Sequence, residues 1–156
     1  MNKGLLQLFQ RGGFLYNVPG DKSRDLLRNL IQSGPAVSGL DRDRLLEAVL
    51  ERETLVSTAV GRGIALPHPR TPLIEDPGEQ RVVTAFLRRP VPWDAPDGEP
   101  VHTALLIISA SARLHLHTLS GINFLCQQEP FRRLLKKRAP AEEILRAIAE
   151  AERAWE

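Results

Sequence analysis

The chain has 156 residues, 42% hydrophobic and 26% charged, which suits one soluble globular domain with a proper core. Its single cysteine, Cys126, excludes an internal disulfide and a metal site built from cysteine pairs, and fits a reducing compartment. The net charge of +2 is spread along the chain, so the pI near 9.0 does not by itself mark a nucleic-acid-binding face, and no apolar run approaches the ~18 residues needed to cross a bilayer.

The N-terminal stretch MNKGLLQLFQRGG has one early lysine and a short apolar patch broken by glutamines and an arginine. No small-residue cleavage site follows, so it does not read as a signal peptide, and a cytoplasmic protein is expected. Leu5, Leu6, Leu8 and Phe9 give residues 4–11 an amphipathic turn or two, which Gly12 and Gly13 stop. FLYNV, residues 14–18, reads as a short strand. Pro19 and Gly20 break the chain, and Asp21 is the expected N-cap of a helix over residues 22–33. Asp41 is the expected cap of a second helix over residues 42–55, with Leu45, Leu46, Val49 and Leu50 inward.

Residues 57–70 read STAVGRGIALPHPR. Pro67 and Pro69 fix φ on both sides of His68, and Pro69 keeps His68 itself out of the helical region. The imidazole is thus held on a stiff, extended segment at a strand end or in a loop. Gly61 and Gly63 permit unusual φ values and leave backbone N–H groups open, as small anion-binding loops do. A restrained histidine beside such a loop can accept a phosphoryl group; a turn followed by a buried strand, with an incidental histidine, fits the same pattern.

A loop over residues 71–80 leads to a strand at residues 81–87. RRPVPWDAPDGEP, residues 88–100, holds four prolines and reads as a long turn region, with Trp93 at or near the surface. VHTALLIIS, residues 101–109, is nearly continuously apolar and reads as a central strand covered on both faces. A buried helix over residues 114–127, a helix over 131–137 and a last helix from Ala141 to the C-terminus complete the order. The expected architecture is α/β (α+β): a single domain with a mixed β-sheet flanked by helices and a core over residues 5–148.

Four pieces of this chain resemble a known family: the IIA components, of fructose/mannitol type, of the bacterial phosphoenolpyruvate-dependent phosphotransferase system. They are GRGIALPHPR, the segment ERETLVST at residues 51–58, VPWDAPDGEPVHTALLIIS, and HLHTLS at residues 115–120 with the FRRLLKKRAPAEEILRAI tail. Within that type the chain is most similar to the nitrogen-regulatory IIA proteins. The resemblance implies a phosphohistidine intermediate at His68, with His115 and Arg52 beside it. An arginine offers planar, always-charged donors to phosphate, and a second imidazole donates a further hydrogen bond or holds the tautomer. Ser57, Thr58, Arg62 and the backbone at Gly63 are the expected remainder of the phosphoryl cradle. Arg62 between the glycines and Pro69 after the histidine depart from the commonest motif, and bear on partner choice. No cofactor and no metal are implied, because phosphoryl transfer here needs position and charge. The implied donor is a histidine-phosphorylated carrier resembling HPr. The implied receiver is a IIB domain or a regulatory target protein, with no nucleic acid and no membrane insertion. No IIB-like or membrane segment lies within the 156 residues, which points to the stand-alone regulatory type. A non-transferring interaction module of the same fold is the alternative.

The remaining histidines read differently. His102 sits at a strand start as a satisfied or site-rim residue, and His117 as a surface or cap residue. An HxH pair at 115 and 117 on a helix points two ways and does not make a metal site. Arg132, Arg133, Lys136, Lys137 and Arg138 form the one basic cluster, read as a solvated helix face open to an acidic partner. Cys126 reads as a small apolar core residue.

Overall fold

The apolar run Val101–Ile108 forms the middle strand of a five-stranded mixed sheet. The computed structural model describes residues 4–154. Its elements are α1 (Leu5–Gly12), β1 (Phe14–Val18), α2 (Ser23–Ser33), α3 (Arg42–Leu55), β2 (Ala59–Gly61), β3 (Ile64–Ala65), β4 (Arg81–Val91), β5 (Val101–Ile108), α4 (Ala112–Cys126), α5 (Glu129–Lys136) and α6 (Ala141–Ala154), with a 3-10 turn at Pro77–Glu79. The strand order is β1-β4-β5-β3-β2. β1 runs parallel to β4 and β3 parallel to β5, whereas β4/β5 and β2/β3 are antiparallel.

Alternation along the central strands explains the layering. Leu105 and Ile107 of β5 join Val82 and Phe86 of β4 in one cluster, under Phe9 of α1, Ile122 of α4, Leu135 of α5 and Ile144 of α6. Ala104, Leu106 and Ile108 join Val83, Ala85 and Leu87 in the other, under Leu27 and Leu30 of α2 and Leu45 and Val49 of α3. Successive strand residues point to opposite faces, so an unbroken apolar run requires cover on both. The expected α/β arrangement is therefore the observed one. Gly12 marks the tightest approach of α1 to the sheet, because a Cβ there would lie 1.8 Å from the Val82 carbonyl oxygen.

Local expectations need four corrections. The helix expected over residues 22–33 starts at Ser23, and Lys22, not Asp21, occupies its N-cap without a capping side-chain bond. β4 continues to Val91, through Pro90; its pairing with β5 is interrupted between Phe86 and Val91, which is where a residue without an N–H fits. Trp93 is 4% exposed, not at the surface. The helix of residues 114–127 is one-faced: Thr118, Gly121, Ile122 and Leu125 are buried while Leu116 is 65% exposed. Trp155 and Glu156, the end of the last expected helix, lie outside the described residues. Asp41 caps α3 as expected, its side chain accepting from the Arg44 N–H at 3.1 Å. No helix among the described residues is long and apolar enough to cross a membrane.

Candidate functional site

Backbone pairing beyond the formal strand ends delivers His68 to the edge of the sheet. The Leu66 N–H donates to the Thr58 carbonyl at 3.0 Å, and the Ile107 N–H to the Pro67 carbonyl at 2.9 Å. Leu66 and Pro67 thus run between β2 and the end of β5. His68 emerges at the carboxyl end of the parallel β3/β5 pair, where open α/β sheets place their ligands. The flanking prolines add stiffness, and the Pro67 carbonyl still takes part in the pairing.

The second ring arrives from α4. Ser111 caps that helix, its Oγ accepting from the Leu114 N–H at 3.2 Å, so His115 lies in the first turn. The His68 and His115 ring centroids are 4.5 Å apart, with planes tilted by 49°. Nδ1 of His68 lies 2.7 Å from the Leu66 carbonyl oxygen. A carbonyl only accepts, so Nδ1 carries the proton and Nε2 keeps its lone pair. His115 Nδ1 lies 3.4 Å from the Ser109 hydroxyl.

The third member comes from the last turn of α3. Arg52 donates through Nη1 to the Val56 carbonyl at 2.7 Å, leaving the rest of its guanidinium for another acceptor. Its charge reaches both rings. Burial above all, opposed by the Leu66 carbonyl and reinforced by Arg52, lowers the His68 pKa from its ordinary value. Burial, then the neighbouring His68, then Arg52 bring His115 down to about 4. Both rings are neutral at neutral pH.

Two side chains that sequence reading did not assign hold this end of α3 in place. Glu53 accepts from the Thr58 N–H at 3.0 Å and from the Trp93 indole N–H at 3.0 Å, and the Thr58 hydroxyl also donates to it. Ser57 donates to the Trp93 carbonyl, and its oxygen accepts from the Ala59 N–H at 3.1 Å. Ser57 and Thr58 are therefore brought to the strand beside His68 with their hydroxyls engaged in protein hydrogen bonds. The signal that could have found Trp93 is its apolar bulk next to the buried strand end at Val91.

Arg62 and Gly63 are not brought to His68. They form the two-residue tip of the β2–β3 hairpin, with φ of 57° and 81°, the pattern of a type I′ turn. The Gly63 carbonyl accepts from the His102 N–H at 2.8 Å and the Thr103 N–H at 3.1 Å, at the start of β5. His68 lies past the other end of β3. The glycines thus serve a turn, and Gly63 leaves room for the His102 ring, whose Cδ2 would be 2.2 Å from a Cβ. His102 is a satisfied histidine, its Nδ1 lying 2.7 Å from Thr103 Oγ1. His117 is exposed on α4. Burial pushes the Cys126 thiol up to about 12, as for an inert packing residue.

The surroundings of the two rings are accessible and partly apolar. Leu55 and Val56 follow Arg52 and are 59% and 65% exposed, and Leu116 adjoins His115. A cavity of about 190 Å³ opens beside His115, between Pro69, Pro72 and Leu116.

Comparison with known proteins places this chain among relatives. A family model described as "Phosphoenolpyruvate-dependent sugar phosphotransferase system, EIIA 2" matches residues 14–151. A nitrogen regulatory protein of Pseudomonas aeruginosa is 30% identical over 153 residues, covering 95% of this chain and 96% of that one. One of Klebsiella oxytoca is 36% identical over 115 residues, covering 72% and 70%. The crystal structure of nitrogen regulatory protein IIA-Ntr from Neisseria meningitidis superposes with a TM-score of 0.71 at 25% identity, covering 92% of this chain and 98% of that one.

Proposed function

Because the chain belongs to the EIIA 2 family of the phosphoenolpyruvate-dependent sugar phosphotransferase system, we propose that it is a phosphocarrier whose accepting atom is Nε2 of His68. The observation that carries this reading is the 2.7 Å bond from His68 Nδ1 to the Leu66 carbonyl. It fixes the tautomer, aims the free lone pair outward and leaves an acceptor facing the ring N–H when the ring gains positive character.

The donor is a small histidine-phosphorylated carrier resembling HPr. The P–N bond to its imidazole breaks as the bond from phosphorus to His68 Nε2 forms. The donor ring, protonated on its other nitrogen while phosphorylated, leaves as a neutral imidazole, and His68, keeping its Nδ1 proton, becomes the phosphoimidazolium. Arg52 neutralises charge on the phosphoryl oxygens, and neutral His115 donates a hydrogen bond to them through Nε2 while Nδ1 accepts from Ser109. Ser57 and Thr58 act through the backbone conformation they lock rather than through free hydroxyls. Exposed Leu116 beside His115, with exposed Leu55 and Val56 following Arg52, supplies apolar surface for the donor.

The phosphorylation state then controls binding to regulatory target proteins in the cytoplasm. Nitrogen regulatory relatives aligned along up to 95% of the chain favour this role. Passage of the group to a IIB domain is the second reading, favoured by the sugar system in the family's description.

The test is incubation with phosphoenolpyruvate, enzyme I and an HPr-like carrier. One acid-labile, base-stable phosphoryl group is expected by mass, and none on His68→Ala. Undiminished labelling of that variant would refute the assignment, and no labelling of the wild type would leave the non-transferring module.

A further inference from the structure

At the far end of β5 from His68, a cavity of about 620 Å³ lies between the hairpin tip and α5. Arg62 and His102 form one wall, and Arg132 and Lys136 another. This volume falls in the range of small-molecule sites. Only part of its charge is balanced internally. Arg133 pairs with Glu129 at 2.6 Å, and Glu99 is the other carboxylate at the rim. Arg132 spends Nη1 on the Cys126 carbonyl at 2.8 Å. The Lys136 ammonium and the Arg62 guanidinium have no hydrogen-bond partner among the described residues. Arg132 and Lys136 are four apart on one helix, a spacing at which like charges repel.

Two further observations mark the cavity as more than a solvated helix face. Arg62 is a non-glycine residue at φ 57°, in a turn position that favours glycine or asparagine, and the conformation is held by its N–H donating to Asp97 at 2.7 Å. That geometry sets a long cation at the mouth where a small residue would suffice. His102 is half-buried in the wall and kept neutral by burial, with Lys136 and Arg138 adding their repulsion. Neutral as it is, its ring adds no further repulsion to a cluster already crowded with positive charge.

We propose that this cavity is a binding site for a small anion carrying two or more phosphate groups, separate from the phosphoryl-transfer site. Cations without a hydrogen-bond partner sit on two elements, the hairpin tip and α5, with the Asp97 carboxylate only partly offsetting Arg62; satisfying them together takes more than one anionic group, and the volume exceeds a single phosphate. The same chemistry is offered by a nucleoside polyphosphate and by a sugar bisphosphate. The Gly63 backbone links the site to β3, the strand that leads to His68, so occupancy braces the hairpin that presents the nucleophile.

Calorimetric titration of the full chain with pyrophosphate, ADP and fructose 1,6-bisphosphate tests this. At least one of the three is expected to bind with a Kd below about 1 mM, more weakly as salt rises. Lys136→Glu, at an exposed position, is expected to weaken binding by about tenfold or more, since it replaces an anion's charge-assisted donor with a repulsive group. His68→Ala is expected to bind as the wild type does. Tighter ADP or tighter bisphosphate binding identifies the source. No binding of any probe, equal binding by Lys136→Glu, or loss of binding in His68→Ala would each overturn the proposal. The last would place the anion at the transfer site instead.

Discussion

Glu53 and Trp93 are joined by a 3.0 Å hydrogen bond from the indole N–H to the carboxylate, across 40 positions of sequence. The residue before Glu53 is Arg52, whose charge acts on both histidines. One buried ring therefore fixes the end of the helix that carries the site's cation. Trp93→Phe keeps most of the apolar bulk and removes the donor. A hydrogen bond to a charged group is worth about 1.5–3 kcal/mol, so thermal unfolding of Trp93→Phe is expected to show a loss of that order. Phosphoryl transfer is expected to slow as well, because the Arg52 turn loosens. Unchanged transfer with lowered stability would mean that Trp93 holds the fold but not the cation.

Arg52 itself is half-exposed at a helix end and makes one bond, to the Val56 carbonyl. Its removal is expected to change stability by less than about 1 kcal/mol. Its effect on transfer is expected to be larger, about 10²-fold for loss of one preorganised electrostatic partner. Arg52→Lys restores charge but not the planar fork, and is expected to recover only part of the rate. Rates of HPr-dependent labelling at matched protein fold, checked by circular dichroism, decide this. Equal rates for Arg52→Ala and wild type would remove Arg52 from the site.

The paired rings make a pH prediction. Burial first of all lowers the pKa of both His68 and His115, the latter to about 4. Between about 6.5, the ordinary value, and about 4, the unfolded chain binds more protons than the native one, so stability falls as pH falls through that window. The His115 shift corresponds to at most about 3 kcal/mol, and its partial exposure and solvent screening reduce this to about 1–2 kcal/mol. His115→Asn is expected to flatten the urea-denaturation free energy between pH 6.5 and 4. An unchanged slope would show that carboxylates alone control that range.

The legible part of this molecule is what short-range chemistry dictates. Asp41 announces its helix because an aspartate side chain satisfies a first-turn N–H, and the run at 101–108 announces a doubly covered strand because it has no polar face. Asp21 misleads because a cap needs its helix to start at the next residue, and this one starts a residue later. β2 and β3, three and two residues long, are invisible as strands, since their pairing is set by β5 and by the hairpin turn. Arg52 and His115 lie 16 and 47 positions from His68, and only family motifs joined them; periodicity could not. Arg62 and Gly63 look like site residues by proximity in sequence, yet an extended chain moves about 3.3 Å per residue, so five residues separate two sites. Trp93 is hidden by its four prolines, which read as exposed turn while the indole reaches inward to a carboxylate.

Gly63 offers the sharpest test of how the hairpin presents His68. Its φ of +81° strains any side chain, at about 1–2 kcal/mol for the left-handed region. A Cβ would also lie 2.2 Å from Cδ2 and 2.4 Å from Nε2 of His102, and relieving such overpacking costs typically about 1–3 kcal/mol. Gly63→Ala is therefore expected to destabilise the protein by about 2–5 kcal/mol, since both costs apply at once. The two costs separate in a double-mutant cycle. His102→Ala opens the space and leaves the backbone strain, so Gly63→Ala in that background is expected to cost only about 1–2 kcal/mol. Denaturant titration of the four proteins gives the coupling energy. Coupling near zero would mean that the ring moves aside freely and does not pin the hairpin tip, leaving the strain at Gly63 as the sole reason for a glycine there.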